Sequence, residues 1–528
     1  MKKIINSILA FVTLFSVTSC DLDMDPETAI RPEDAYTMEY CEGVRGYVYV
    51  DLKALLSGGF YSIPDLYVDV LNVCIGSGNL GIYPFNWRLY PTDQDVTSFW
   101  SSYYTTMMHI NYAIRHMDAA YEYLTPDEQK KVDVYKGEMY FFRAYVMHRA
   151  ALLFCEDYDP DKAADQLGLP YPKEWEPEAK LARGTLAKLY ENVEADLVEA
   201  EKTVTAQGTP TDQIYLTKDA ITAFRAELAL HLHQYTEASQ YAQSLYGTYP
   251  LVTTAEGLER MWREDTSTEN ILQLEVLRTT MTTVNSFGSY LNSSWEPNLG
   301  VYFYAPTYIP EQHIVKLFED ADFRTNIFLV KNANVTISGN KGVGVLIGKF
   351  RGNKNFQTNT TTLVYRNRPK MFRISQMYLV DAEAQYRLDP AKGLDPLNQL
   401  RTARGLTALT ADDVKDDVTL LDGTKISGLF NAIQEERGRE MLAEGTRLFD
   451  LKRWGQGFKR DINAKLAPLV DQVSYLQTMK QTAGSPKFVW PIPNSELTQN
   501  PNFGSQNQGY LSVSYTHLRA HETPEHLV

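Results

Sequence analysis

The chain has 528 residues, of which 44% are hydrophobic and 22% are charged. These proportions are ordinary for a globular protein, and the length is far beyond what a marginal core needs. Its 66 acidic residues against 51 basic ones give a formal net charge of −15, which argues against nucleic acid as a partner because phosphate recognition requires a basic surface.

The first 19 residues have the layout of a secretory signal peptide. Lys2 and Lys3 form a basic start, and the apolar run from Ile4 to Phe15 is too short to cross a membrane. The sequence VTSC resembles a bacterial lipoprotein box and predicts that Cys20 becomes the lipidated first residue. An ordinary signal peptide that happens to end near a cysteine is the alternative. The acidic run CDLDMDP then resembles the surface-display signal of Bacteroidetes lipoproteins.

The other cysteines are Cys41, Cys74 and Cys155, and their spacings match no zinc or redox motif. If Cys20 is lipidated, at least one of these three thiols is free or pairs between chains. The sequence therefore predicts neither a disulfide framework nor a metal site.

Helical periodicity dominates the first half of the chain. A helix is predicted around 32–56, and a long irregular loop follows it to residue 81. The apolar spacing then predicts two antiparallel helix pairs and a short helix, at 93–124 with 132–154, 185–204 with 217–234, and 237–245. Small alanine residues in the second pair allow the close packing that tetratricopeptide units use.

Between 251 and 370 the composition shifts toward Asn, Thr, Gly and Tyr. Alternating apolar and polar residues at 334–337 and 343–350 predict short strands within otherwise irregular structure. Segments of this kind often carry binding residues.

The stretch from 433 to 455, IQEERGREMLAEGTRLFDLKRWG, predicts two short helices that meet at Gly445. Glu436 and Arg439 are spaced to pair across one helical turn. Glu436, Glu440 and Glu444 could be considered as catalytic carboxylates, but charges at this density usually mark a paired or solvated helix face. We therefore predict a structural role for them.

Three runs of sequence resemble signatures of the SusD/RagB family. They are ERGREMLAEGTRLFDLKRW within the stretch above, GEMYFFRAY around Arg143, and PIPNSELTQNPNFGSQNQGY at 491–510. Gly137 stands where alanine is usual, and Gln508 where proline is usual. The resemblance extends over nearly the whole chain after the predicted signal peptide.

The resemblance implies a mostly α fold, with a scaffold of tetratricopeptide-type helix pairs. It implies a third pair around 372–388 and 394–404, a fourth around 433–454, and a loop-rich insert at about 251–370 with a few short strands. We expect a single SusD-like domain over 20–510. Residues 511–528 come after the closing motif, and we expect them to be a non-native or disordered tail.

The resemblance also implies a function. Family members are outer-membrane lipoproteins that capture nutrients for a SusC-like TonB-dependent transporter. We therefore expect a lipid-anchored, surface-exposed protein that binds an oligosaccharide or polysaccharide for this partner, without enzymatic activity or cofactor. A peptide ligand, as in RagB-like relatives, and a helical-repeat scaffold for protein contacts alone are the alternatives. No serine-hydrolase, zinc-protease or nucleotide-binding fingerprint appears in the sequence.

A glycan site needs flat aromatic side chains for the apolar faces of sugar rings, together with polar groups for the hydroxyls. Two groups of residues in apparent loops fit this requirement, although each aromatic could equally be part of the core. The candidates are Tyr83, Trp87 and Tyr90 with Asp69, Asn72 and Arg88, and then Trp295, Tyr302 and Tyr304.

Overall fold

The computed structural model describes residues 36–78, 80–211, 213–276, 287–357, 363–471 and 479–510. The predicted signal peptide, the predicted lipidation site Cys20 and the predicted tail at 511–528 lie outside these residues. Within the described residues, no helix is both long enough and apolar enough to span a bilayer.

Helices make up most of the regular structure. The α-helices are α1 (Met38–Leu55), α2 (Gly59–Tyr67), α3 (Ile82–Phe85), α4 (Gln94–Ala120), α5 (Pro126–Phe154), α6 (Leu186–Thr203), α7 (Lys218–His231), α8 (Tyr235–Ser244), α9 (Ala255–Arg263), α10 (Gln312–Lys316), α11 (Arg324–Phe328), α12 (Ile374–Leu388), α13 (Leu394–Ala403), α14 (Gly428–Glu440), α15 (Arg447–Trp454) and α16 (Asn494–Gln499).

The strands are short. They are β1 (Leu71–Val73), β2 (Asn270–Gln273), β3 (Ser293–Glu296), β4 (Val301–Tyr304), β5 (Tyr308–Pro310), β6 (Leu329–Ile337), β7 (Asn340–Ile347), β8 (Lys370–Arg373), β9 (Val418–Thr419), β10 (Lys425–Ile426), β11 (Phe458–Lys459) and β12 (Lys480–Gln481). Strands β3, β4, β6 and β7 form one sheet in that order, and the others form two-stranded pairs. The strand predicted at 334–337 is confirmed as part of β6, and the one predicted at 343–350 is confirmed as far as the end of β7 at Ile347.

The helix pairs form the scaffold, but one pairing differs from the prediction. Helix α6 packs along α5, whereas α7 packs mainly against α8. Two features bring α6 to α5. Arg143 of α5 bonds both carboxylate oxygens of Asp196 on α6, at 2.6 and 2.7 Å. Gly137 permits close approach, because a Cβ there would lie 2.2 Å from Oγ1 of Thr203.

The prediction of an irregular loop after α1 is partly wrong. The segment contains the nine-residue helix α2, in which seven residues are buried, and the strand β1. Many side chains of α2 are apolar, and the helix packs against α15. A buried backbone must form hydrogen bonds, and the segment forms them as a helix.

The segment 490–507, near the C-terminus, is bonded to the end of α5. The Asn507 side chain donates to the carbonyl oxygens of Phe154 and Trp490, at 2.8 and 2.7 Å. The amide of Gln506 bonds both the N–H and the carbonyl of Ile492, and Trp490 is fully buried. The polar residues of this run therefore fix its path by bonding backbone groups.

Helices α14 and α15 meet at Gly445, as predicted. The three glutamates of this region do form ion pairs, but they are buried rather than solvated: Glu436 and Glu440 are 0% exposed and Glu444 is 4% exposed. Glu440 accepts hydrogen bonds from Arg404 and Arg324, and Glu444 accepts two from Arg373.

This cluster joins distant parts of the chain. Arg324 begins α11, Arg373 ends β8, and Arg404 comes directly after α13, so one group of ion pairs links the strand-rich segment to the last helices. Buried charges are costly unless all are paired. The network therefore requires these elements to assemble together.

We expect Gly445→Ala to destabilise the fold by about 1–3 kcal/mol. Gly445 has a φ of +70°, and a Cβ there would lie 2.9 Å from backbone atoms of Phe60 and Tyr61. Urea unfolding measures the effect. Gly455→Ala is the matched control, because Gly455 has a similar φ of +62° but open space around its Cβ position. Equal losses in the two variants would show that the close packing at Gly445 contributes nothing.

Candidate ligand-binding surface

Strands β3 and β4 form an antiparallel hairpin that presents aromatic side chains. Trp295 lies opposite Tyr302, and Ser293 lies opposite Tyr304. Because side chains alternate along strands, these four residues share one face. The ring centroids are 4.9 Å apart for Trp295 and Tyr302, and 6.2 Å apart for Tyr302 and Tyr304. We call Trp295, Tyr302 and Tyr304 the hairpin surface.

The hairpin surface is open to solvent yet held in place. Trp295 is 36% exposed, and both tyrosines are partly exposed. The hydroxyl of Tyr365 accepts a bond from the Ser293 N–H at 2.6 Å and lies 2.5 Å from the Ser293 hydroxyl. Strand β4 also pairs in parallel with β6. A platform fixed in this way loses little conformational freedom when a ligand binds.

Two arginines supply polar donors close to this surface. Tyr302 and Tyr304 are near enough to Arg351, and Tyr302 is near enough to Arg263, to raise the pKa of those guanidinium groups. Burial lowers the pKa of both guanidinium groups below its ordinary value, and the charge of Arg351 lowers that of Arg263 further. Neither side chain makes an ion pair with another described residue. Their remaining N–H groups can donate to ligand hydroxyls.

The structure corrects the prediction for three residues of the first cluster. Trp87 is 4% exposed, stacks on Tyr67 with centroids 4.6 Å apart, and donates from Nε1 to the Tyr67 carbonyl oxygen at 2.5 Å. Asp69 and Asn72 are 4% and 0% exposed. Asn72 lies on β1, which pairs with β5, and Asp69 lies two residues before that strand, so both belong to a buried segment. None of the three lies on a ligand surface.

Asp69 serves the core as an ion-pair partner. Arg447 bonds both of its carboxylate oxygens at 3.0 Å, and His313 lies 3.4 Å away. Burial alone would raise the pKa of Asp69, but the charge of Arg447 and the contact with His313 hold it well below the ordinary value. Asp69 therefore joins the segment before β1 to α15.

The remaining residues of the first cluster do lie on the surface. Tyr83 is 51% exposed and Tyr90 is 55% exposed, and Arg88 is also exposed. The backbone N–H of Arg88 bonds the Tyr83 carbonyl at 3.0 Å, which holds these two residues in one compact turn. Tyr83, Arg88 and Tyr90 provide further exposed aromatic and basic side chains. That these residues contact a ligand stays a prediction.

We expect Trp87→Phe to lower stability by about 1–2 kcal/mol and to leave ligand binding unchanged. The variant keeps an aromatic ring but loses a buried hydrogen-bond donor, while the Tyr67 carbonyl oxygen keeps a weaker bond from Arg460 at 3.3 Å. Urea unfolding and a ligand-retention assay provide the two readouts. Reduced ligand retention at unchanged stability would contradict the structural role of Trp87.

Two family models match the sequence. One, described as the SusD family, matches residues 303–510, and the other, described as starch-binding associating with outer membrane, matches residues 69–230. The chain belongs to the SusD-like family. A comparison with curated proteins found no match.

Solved structures share the SusD-like fold. A SusD superfamily protein from Bacteroides thetaiotaomicron is 20% identical, with a TM-score of 0.72 over 89% of this chain and 99% of that one. A putative sugar binding protein from Bacteroides vulgatus is 21% identical, with a TM-score of 0.67 over 90% and 99%. A laminarin binding SusD-like protein is 18% identical, with a TM-score of 0.64 over 89% and 99%.

The two family matches include only part of the hairpin surface. Trp295 and Tyr302 fall between the two matched ranges, and only Tyr304 lies within one. Sequence reasoning also missed Arg263, because it lies on α9, far along the chain from the hairpin. No local pattern indicates that these residues meet, since the tertiary fold alone brings them together.

Proposed function

We propose that this protein is a surface-exposed outer-membrane lipoprotein that binds an oligosaccharide or polysaccharide and delivers it to a SusC-like TonB-dependent transporter. It holds the glycan without cleaving it. The family description that includes starch binding at the outer membrane supports this proposal, as do the names of the sugar-binding and laminarin-binding structural relatives.

The hairpin surface is the observation that carries the proposal. Trp295 with Tyr302 and Tyr304 offers apolar ring area on an exposed and supported sheet, and sugar rings present apolar faces to such surfaces. Arg263 and Arg351 add donors that can bond hydroxyl groups near those rings. The aromatic rings are exposed, and neither arginine has an ion-pair partner among the described residues. This combination suits a polar ligand with flat apolar faces.

The sequence supports the proposed anchor and location. Lipidation of Cys20 would tether the chain without a spanning helix, and the acidic residues directly after it resemble a surface-display signal. A tethered protein at the mouth of a transporter raises the local concentration of its ligand there, which is the physical advantage of delivery.

Isothermal titration of the mature protein against a panel of soluble glycans tests the proposal. The panel should include starch oligosaccharides, laminarin and plant cell-wall polysaccharides, with mixed peptides as the comparison. We expect saturable binding to one glycan class and none to peptides. Tight peptide binding with no glycan binding would overturn the proposal and favour the RagB-like alternative.

A further inference from the structure

Several arginines of this protein bind carboxylates in the same way. Each presents Nε and Nη2, which lie on one edge of the planar guanidinium group, to the two oxygens of a single carboxylate. The bonds are between 2.6 and 3.0 Å long, and the pairs are Arg143 with Asp196, Arg404 with Glu440, Arg447 with Asp69 and Arg453 with Glu383. We call this side of the group the Nε–Nη2 edge.

Arg263, the last residue of α9, uses its guanidinium group differently. Its Nη1 donates to the Gly352 carbonyl oxygen at 2.5 Å, which holds the side chain in place. Its Nε and Nη2 form no hydrogen bond or ion pair within the described part of the chain, and neither atom is closed off from solvent. The Nε–Nη2 edge of Arg263 is therefore fixed in position and within reach of a ligand.

Arg263 lies beside the hairpin surface. Gly352, which it bonds, packs closely on Tyr365, because a Cβ at Gly352 would lie 2.6 Å from the Tyr365 backbone nitrogen. The Tyr365 hydroxyl in turn accepts a bond from the Ser293 N–H on β3. Burial lowers the pKa of Arg263, and Tyr302 of the hairpin surface is near enough to oppose that shift. The edge and the aromatic rings can therefore contact one ligand.

The charges around Arg263 favour an anion. Arg351 is near enough to lower the pKa of Arg263 further, and its Nη1 also bonds no described residue and is not closed off from solvent. Glu259 attracts both arginines, but it is exposed and forms no ion pair with either. The only acidic residue in the sequence of the hairpin, Glu296, follows Trp295 directly and so faces away from the rings.

We propose that the glycan bound at the hairpin surface is acidic, and that the Nε–Nη2 edge of Arg263 binds the carboxylate of a uronate sugar. A sugar ring stacks on Trp295 or Tyr302, and Nη1 of Arg351 donates to a hydroxyl of the same glycan. A carboxylate meets both N–H groups of the edge in one plane and carries the opposite charge, whereas a hydroxyl is neutral. This inference rests on the proposed glycan-binding function and adds the class of glycan.

Titration of the mature protein with matched pairs of glycans tests the proposal. The probes are oligogalacturonate, oligomannuronate and hyaluronan oligosaccharides, each compared with its neutral form in which the carboxyl groups have been reduced to alcohols. We expect at least one acidic glycan to bind about tenfold or more tightly than its reduced form, as charge-assisted hydrogen bonds allow.

The outcomes separate this inference from the proposed function. Equal affinity for the two forms in every pair, or binding confined to neutral glycans such as laminarin, would overturn the inference and leave the proposed function standing. Binding of no glycan at all would overturn both.

Arg263→Gln locates the carboxylate site. The variant loses both the charge and the edge, so the preference for the acidic form over the reduced form should fall to about twofold or less. Binding of the reduced form that remains shows that the protein is folded. Arg260→Gln is the matched control, because it makes the same charge change on the same helix at a residue that lies 3.5 Å from Glu264. A preference retained in Arg263→Gln, or lost equally in Arg260→Gln, would refute the assignment.

Arg263→Lys separates the geometry of the edge from its charge. Lysine keeps the positive charge but has no planar pair of donors, so we expect it to lose most of the preference for the acidic form. A full preference in Arg263→Lys would show that charge alone is sufficient and would contradict the role of the Nε–Nη2 edge.

Discussion

Glu440→Ala is expected to destabilise the fold by about 3–5 kcal/mol, the usual cost of breaking a buried ion pair. Glu440 is 0% exposed and accepts bonds from Nε and Nη2 of Arg404, each at 3.0 Å, and from Nη1 of Arg324 at 3.1 Å. Removing the carboxylate leaves these guanidinium groups buried with fewer partners. The midpoint of urea unfolding measures the loss.

The control is Glu191→Ala, which breaks an exposed pair with Lys188 at 2.7 Å and should cost less than about 1 kcal/mol. A similar small loss in both variants would contradict the account of the buried network. Such a result would mean that burial adds nothing to the contribution of this ion pair.

The same variant should alter the pH dependence of stability. Burial opposes ionisation of Glu440, but the charges of Arg404 and Arg324 hold its pKa well below the ordinary value of 4.5. A carboxyl whose pKa is lowered by folding stabilises the fold above its unfolded pKa and loses that contribution as the pH falls through the folded value. The stability difference between the wild type and Glu440→Ala should therefore shrink below about pH 4.5.

Replacing both Trp295 and Tyr302 with alanine should weaken glycan binding about a hundredfold or more. The two rings supply the exposed apolar area of the hairpin surface, and aromatic anchors of this kind commonly contribute about 2 kcal/mol or more each. Affinity electrophoresis and titration with the preferred glycan measure the change. Stability should hardly alter, because Trp295 is exposed and Tyr302 is only partly buried.

Tyr123→Ala is the matched control for this loss of binding. Tyr123 is 63% exposed and stacks on Tyr36 near the turn between α4 and α5, away from the hairpin. Unchanged affinity in the double variant, or an equal loss in Tyr123→Ala, would show that the glycan site lies elsewhere.

The helical scaffold could be predicted closely because each helix carries its own signal. Helix α5 begins at Pro126 with a capping box between Thr125 and Glu128, which the sequence TPDE indicates directly. Gly445 likewise marks the break between α14 and α15. The pairing of α6 with α5 depends on Arg143 and Asp196, which are far apart in sequence, and periodicity contains no information about that contact.

The site is harder to predict, because the same residue type can line a surface or fill a core. Trp87 and Trp295 both lie among Gly, Asn and Pro residues, yet Trp87 stacks beneath the surface on Tyr67 while Trp295 projects from a hairpin. Burial depends on tertiary contacts: Asn72 lies on a strand that pairs with β5, and Asp69 is buried against Arg447 of α15. Composition alone cannot separate these outcomes.

The most direct test of the central claim is a structure of the protein with the glycan that binds it most tightly. We predict an uncleaved glycan with a sugar ring stacked on Trp295 or Tyr302, and hydroxyl groups bonded by Arg351 or Arg263. A glycan bound elsewhere with the hairpin surface bare, or a glycan shortened by the protein itself, would contradict this account.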